Sequence, residues 1–236
     1  MKERNAPKQK HTGLELRIPT EAELRAAYRE DLEAAFPPDE LKPLSAILRP
    51  WREGAYQPWC LYDGGSGPVG ECFLWLGSPG CALLDYLCVS AGQRNGGLGS
   101  WMLDAMTRLS DWTCILGECE APEYAPDPAL AARRMEFYFR SGARLAGYDT
   151  ELFGVRYRTL YWAGRPLDDS ALSAEHRKIY RLEEMPERIR NLFQIPCPEE
   201  TGGRESRAEA ARAVLEALRA EGTEEAEGGH NENTGF

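Results

Sequence analysis

Apolar positions along the chain switch between a helical period and a strand period, and the switches divide it into alternating elements. Leu24, Tyr28, Leu32 and Phe36 recur at every fourth residue, the spacing of one stripe on a helix. Thr20, followed three residues later by Glu23, makes a capping box at the start of that helix, and Pro37 and Pro38 stop it. A weaker helix is predicted over 39–51, kinked near its prolines. The runs "YQPWCLYD" (56–63) and "PVGECFLWLG" (68–77) flank "GGSG", a hairpin signal, because glycine supplies the positive φ of a tight reversal. "CALLDYLCVS" (81–90) predicts a third strand, and "LELRI" (14–18) a short one before the first helix.

The second half continues the alternation. Leu98, Met102, Leu103 and Met106 share one side of a predicted helix over 98–111, and "WTCILGECEAP" (112–122) reads as a strand. Over 128–145 a helix places Met135, Tyr138, Phe139 and Gly142 on one face, and "TELFGV" and "RTLYWAG" predict two closing strands. This order describes an α/β (α+β) domain with a mixed sheet across 14–164. Residues 165–197 read as polar helices packed on its outside, 1–13 as a flexible arm, and 198–236 as an acidic, mostly disordered tail.

Charge and cysteine usage narrow the function classes. The net charge is −10, but ten acidic and four basic residues lie from Pro198 onward, so the acidity belongs mostly to the tail. A body without a basic surplus argues against a nucleic-acid partner. No apolar stretch approaches the ~20 residues of a bilayer span, which argues against a membrane partner. The seven cysteines form no CxxC pair and no zinc spacing with a histidine, so the expectation is reduced thiols in a cytoplasmic protein, with no metal. His11, His176 and His230 are scattered, which disfavours a histidine-based triad.

The densest chemical signal lies between the third strand and the following helix, in "QRNGGLGS" (93–100). A P-loop is excluded because no lysine follows the glycines, and a G-x-G-x-x-G dinucleotide loop is excluded because position 102 is Met. Arg94-Asn95-Gly96-Gly97-Leu98-Gly99 instead matches R-x-x-G-x-G. Glycines there let successive backbone amides turn towards one point, and the helix start adds its partial positive charge. Such a loop can hold a diphosphate with little side-chain help.

The strand "LLDYLCV", the loop "QRNGGLGS", the helix "WMLDAM" and the later "RMEFYFRSGAR", where Tyr138 precedes Gly142 by four residues, together resemble the GNAT superfamily of acyl-CoA-dependent N-acyltransferases. The resemblance implies a mostly antiparallel mixed sheet with helices on both faces and a V-shaped splay between two central strands. It implies acetyl-CoA, or another acyl-CoA, as co-substrate, with its diphosphate on Arg94, Asn95, Gly96, Gly97, Leu98, Gly99 and Ser100. Its pantetheine arm would run along Leu87, Cys88 and Val89, with an amide near Leu87 or Val89 polarising the thioester carbonyl.

Direct transfer in a ternary complex needs a proton acceptor for the amine and a donor for the leaving thiolate. Tyr138 is the expected acid, from the family's tyrosine spacing. Asp85, on the strand leading into the loop, and Glu118 and Glu120, sharing a face of the next strand, are the candidate bases, with Glu120 favoured over Glu118 for lying nearer the strand end. Each has an alternative reading as a solvated or salt-bridged strand residue. The acceptor, a small-molecule amine or a protein amine, is expected among 36–47, 56–60 and 153–162, where Asp39, Glu40 and several aromatics suit a cation. The competing class is a non-catalytic acyl-CoA-binding sensor or scaffold module.

Overall fold

In the computed structural model, residues 13–198 other than 39, 66 and 110 are described. Asp39, nearly all of the arm and of the acidic tail, and the tail's candidate helix therefore lie outside the described residues. The strands are β1 (Glu15–Arg17), β2 (Tyr56–Tyr62), β3 (Pro68–Leu76), β4 (Cys81–Val89), β5 (Cys114–Glu120), β6 (Arg144–Leu152), β7 (Val155–Trp162) and β8 (Phe193–Gln194). They form one sheet in the order β1-β2-β3-β4-β5-β7-β6-β8. Every pairing is antiparallel except β4 with β5.

The first helical segment starts as its capping box requires. Thr20 Oγ1 accepts from the Glu23 amide and Glu23 accepts from the Thr20 amide at 2.7 Å. It is not one regular helix, however. α1 (Glu21–Ala27) passes into a π turn (Tyr28–Leu32) and then α2 (Glu33–Ala35), with Glu33 N bonding to Tyr28 O. An apolar repeat of four residues drifts around an ideal 3.6-residue helix, and the wider i→i+5 turn takes up that drift. It keeps Leu24, Tyr28 and Leu32 buried on one face. α3 covers only Ser45–Arg52, shorter than the 39–51 helix expected. Pro43 disfavours helical backbone at Lys42, so residues 40–43 run as non-helical backbone ahead of it.

The remaining helices are α4 (Leu98–Leu109), α5 (Pro128–Arg140), α6 (Asp169–Ile179) and the single turn α7 (Glu187–Arg190). α1 to α3 and α6 cover one face of the sheet, meeting Tyr56, Phe73, Tyr86, Leu83 and Leu116. α4 and α5 cover the other, around Cys72, Leu74, Leu84, Met102 and Leu103. On α5 the buried side is Ala131 with Phe137 and Tyr138 packed beside it, while Phe139 turns outward at 41% exposure, contrary to the face read from the sequence. The segment after Gly164 does more than pack outside the sheet, since β8 pairs with β6 and extends it by a strand.

One register event positions everything else. β4 and β5 pair only over Cys81–Leu84 and Cys114–Gly117. Beyond that point β4 follows β3 as far as Val89, while β5 follows β7 as far as Glu120. The strands diverge, and the backbone of 85–89 has no ladder partner on its β5 side. A bulge marks the branch point: Leu74 faces Leu84 and Phe73 faces Tyr86, so Asp85 is the extra residue, and a bulge sharpens local twist and re-aims the strand. Gly117, the last paired residue of β5, leaves room for the Trp162 ring, because a Cβ there would lie 2.9 Å from Trp162 Cζ3.

We expect Gly117→Ala to lower stability by about 1–3 kcal/mol through overpacking against Trp162. Urea unfolding should show a lower midpoint at an unchanged m value.

Candidate active site

The divergence opens a cleft of about 2050 Å³ that runs from the glycine loop, past the inner ends of β4 and β5, to the helices on the opposite face. Its floor is bare main chain. Ser90 N donates to Val69 O at 3.1 Å, which directs the polar groups of even-numbered β4 residues towards β3. By the alternation of an antiparallel ladder, the N–H and C=O of Leu87 and Val89 then point into the cleft. Arg94 Nε donating to Val89 O at 3.1 Å agrees with that direction.

At one end of the cleft the loop takes the conformation its glycines permit. Asn95 and Gly97 have φ of 66° and 87°, left-handed values that asparagine and glycine adopt most readily. α4 begins directly after, at Leu98. Among the described residues, no amide from Arg94 to Ser100 donates to a protein acceptor; the next amide, Trp101 N, bonds back to Gly97 O at 3.0 Å. Residues 91–97 are exposed. Four-residue sets of orphan amides are normal at a helix start, and here the exposed loop adds further unpartnered ones. At Gly99 a Cβ would come 3.2 Å from Phe137 Cζ, so the glycine also sets how closely α4 and α5 approach.

Asp85 and Glu118 are the first residues past the branch on their respective strands, and both line the cleft on the face of α1–α3 and α6. Asp85 is held from two sides. Lys42 Nζ donates to Oδ1 at 2.5 Å and Tyr56 Oη donates to Oδ2 at 2.6 Å. The Tyr56 phenol is pushed well above its ordinary pKa, first by burial and then by the Asp85 charge, so it remains a donor. Glu118 accepts from Tyr180 Oη at 2.7 Å and Thr150 Oγ1 at 3.2 Å. The fully buried His176 places Nε2 3.0 Å from Glu118 Oε1, at an angle that forms no hydrogen bond. Glu120, further out, lies 3.2 Å from Arg134.

Tyr138 lines the cleft from the opposite face, packed edge-on to Trp162 at 5.7 Å against the core cluster that includes Leu84. Among the described residues no protein group hydrogen-bonds its hydroxyl, and burial raises its pKa above the ordinary phenol value. A raised pKa keeps the proton in place as a donor. Cys88 borders the cleft, and its Sγ donates at 2.8 Å to Glu71 Oε2 across the β3–β4 ladder. Burial raises the Cys88 and Cys119 thiols, Cys119 to about 11, so neither is poised as a thiolate.

The sequence-derived residues thus converge, with the loop, Leu87, Val89, Asp85, Glu120 and Tyr138 all bordering one cleft. Lys42 and Tyr56 lie inside the segments expected for the acceptor but are not singled out by the sequence, and Tyr180 and His176 lie outside them. Lys42 is 43 positions from Asp85, and only its place beside Pro43, ahead of a helix, hinted at a fixed turn. His176 sits at period with Leu172 and Ile179, an apolar stripe that would have marked it as inward-facing.

No protein-family model matches the chain, and no curated protein is similar to it in sequence. Among solved structures it is similar to a GNAT-family protein from Bacteroides thetaiotaomicron at 20% identity and a TM-score of 0.55, covering 69% of this chain and 94% of the other. The spermidine N-acetyltransferase from Vibrio cholerae, solved in complex with CoA and spermine, aligns at 13% identity and a TM-score of 0.48, over 63% of this chain and 94% of that one. The chain has the fold of the GNAT superfamily.

The same ladder contains a buried acid. Glu71 is fully buried, its Oε1 lacks a partner, and burial raises its pKa to about 8. Because the folded value lies above the ordinary 4.5, the neutral form is favoured in the fold. Stability is then complete below about pH 4.5 and falls as pH rises towards 8. We expect Glu71→Gln to be close to neutral at pH 4.5 and to exceed the parent protein by a few kcal/mol at pH 8, measured by denaturant titration at both pH values.

Proposed function

We propose that the protein is an N-acetyltransferase that moves an acetyl or other acyl group from acyl-CoA to a primary amine by direct attack in a ternary complex. The observation that carries this reading is the pairing of two features in one cleft. Unpartnered amides of residues 94–100 sit at the start of α4, and an unpaired β4 edge follows Asp85. The first suits a diphosphate, and the second suits an extended chain with amide groups of its own. An acyl thioester of coenzyme A supplies both, together with the activated carbonyl.

The roles of the chain's residues follow from where each stands. The amides of Arg94 to Ser100 hold the diphosphate. Leu87 and Val89 offer main-chain N–H and C=O groups to the pantetheine arm, and one of those amides polarises the thioester carbonyl. Tyr138, on the face of α4 and α5, donates its proton to the departing thiolate. Asp85, on the opposite face, accepts the proton of the attacking amine. Acid and base therefore stand on opposite faces of the sheet, so the proton taken from the amine and the proton given to the thiolate are handled by separate groups. Glu120, paired with Arg134, stays at the rim, where its charge favours a cationic acceptor.

An alkylammonium with a pKa near 10.4 is only about one part in a thousand neutral near pH 7, a handicap of about 4 kcal/mol that a positioned carboxylate lessens. Phe36, Tyr86, Tyr157 and Tyr180 line the cleft on the side of Asp85, so the acceptor favoured is an amine with an apolar or aromatic body.

Acetyl-CoA incubated with the protein and a panel of primary amines should release free coenzyme A. We expect Tyr138→Phe and Asp85→Asn each to lower kcat/KM by about 10²–10⁴ with acetyl-CoA affinity retained, and Glu120→Gln to lower it by less than about tenfold. Tight binding without turnover on any amine, or full activity in both variants, would show instead a non-catalytic acyl-CoA module or a different acid–base pair. For the loop, Gly97→Val, which forces a β-branched residue into φ near 87°, should weaken CoA binding by about tenfold or more without abolishing folding.

A further inference from the structure

The acceptor face of the cleft already contains a primary amine. Lys42 lies on the segment between α2 and α3, and its ammonium contacts Asp85 at 2.5 Å. The ring centroids of Trp75 and Tyr86 lie 5.4 and 5.5 Å from Nζ, within cation–π range. Its backbone is fixed as firmly as its side chain. Lys42 N donates to Tyr86 Oη at 2.9 Å, and Lys42 O accepts from Tyr28 Oη at 2.9 Å. Yet the side chain keeps 36% exposure, against 10% for Asp85, and it lines the cleft. A lysine serving only as a counter-ion gains little from such access. The lysine is held where an amine substrate would be recognised, with a carboxylate on its nitrogen and aromatic faces beside it.

Reach is sufficient. Asp85 precedes Leu87 by two residues, roughly 7 Å along a strand, and Leu87 directs its backbone into the cleft. A change of rotamer in the four-carbon stem spans that gap.

We propose that Lys42 is itself an acyl acceptor, acylated from acyl-CoA bound in the protein's own cleft; this rests on the acyltransferase reading above. A bond forms between Nζ and the acyl carbon, the carbon–sulfur bond breaks, and its electron pair leaves on sulfur. Of the ammonium's three protons, one stays on the new amide, one ends on the coenzyme A sulfur by way of Tyr138, and one passes to Asp85 and on to solvent. The product is a neutral amide. It removes the ion pair from Asp85, which then keeps only the Tyr56 hydroxyl and is released to serve an external amine.

The sequence makes the test clean, since only five lysines are present. The full-length protein is incubated with acetyl-CoA and no added amine, followed by intact mass and peptide mapping. We expect one acetyl increment on Lys42, gained about a hundredfold faster than on any other lysine, at a first-order rate independent of protein concentration. Lys42→Arg should remove the increment while keeping CoA binding and the melting temperature. Asp85→Asn should slow it about a hundredfold. An unlabelled Lys42 in protein that acetylates an added amine would overturn this proposal alone, as would label spread evenly over the lysines. Absence of both CoA binding and acyl transfer would overturn the acyltransferase reading with it.

Discussion

The parting of β4 from β5 after Leu84 and Gly117 is the constraint on which the rest of the molecule depends. A strand in the middle of a sheet normally has both edges satisfied, and leaving one bare in a buried setting is costly. Here the cost is contained by making the gap a solvent-reaching cleft. The devices that enforce it are local. The bulge at Asp85 turns β4 away, Gly117 admits the Trp162 ring at the branch, and Trp162 is itself fixed by Nε1 donating to Ser141 O at 3.0 Å. α4 and its glycine loop then stand at the open end, so unpaired amides in the loop and on the strand face the same space.

Because the cleft passes through the sheet, its two mouths differ in chemistry. On the side of α4 and α5 lie the loop amides and Tyr138, a phenol whose burial holds its proton. On the other side lie carboxylates, each engaged differently: Asp85 by a lysine and a tyrosine, Glu118 by Tyr180 and Thr150, Glu120 by an arginine. These contacts fix each carboxylate in direction. For Asp85 the partner is also a nucleophile in waiting, and this makes the Lys42–Asp85 contact more than a structural tie.

Much of this was legible in the sequence, for physical reasons that can be named. The glycine loop was readable because positive φ and exposed amides restrict residue choice over a few contiguous positions, Asn95 and Gly97 among them. The Thr20–Glu23 capping box was readable for the same reason, as was the hairpin between β2 and β3. Features that depend on distant residues were not. Nothing near Asp85 announces Lys42, and the bulge that re-aims Asp85 is a property of how β3 and β4 register, not of either strand alone. β8 consists of two residues, too short to show a period, and exists because β6 offers it an edge. Helical spacing alone does not show the outward turn of Phe139, because it is the close approach at Gly99 that selects Phe137 for the contact between α4 and α5.

Amide hydrogen exchange with and without coenzyme A tests the shared claim of the loop and the open strand edge most directly. We expect coenzyme A to slow exchange at residues 94–100 and at Leu87 and Val89 together, with little change along β1 and β2. Saturating coenzyme A that leaves both the loop and the β4 edge unprotected would contradict the assignment of this cleft.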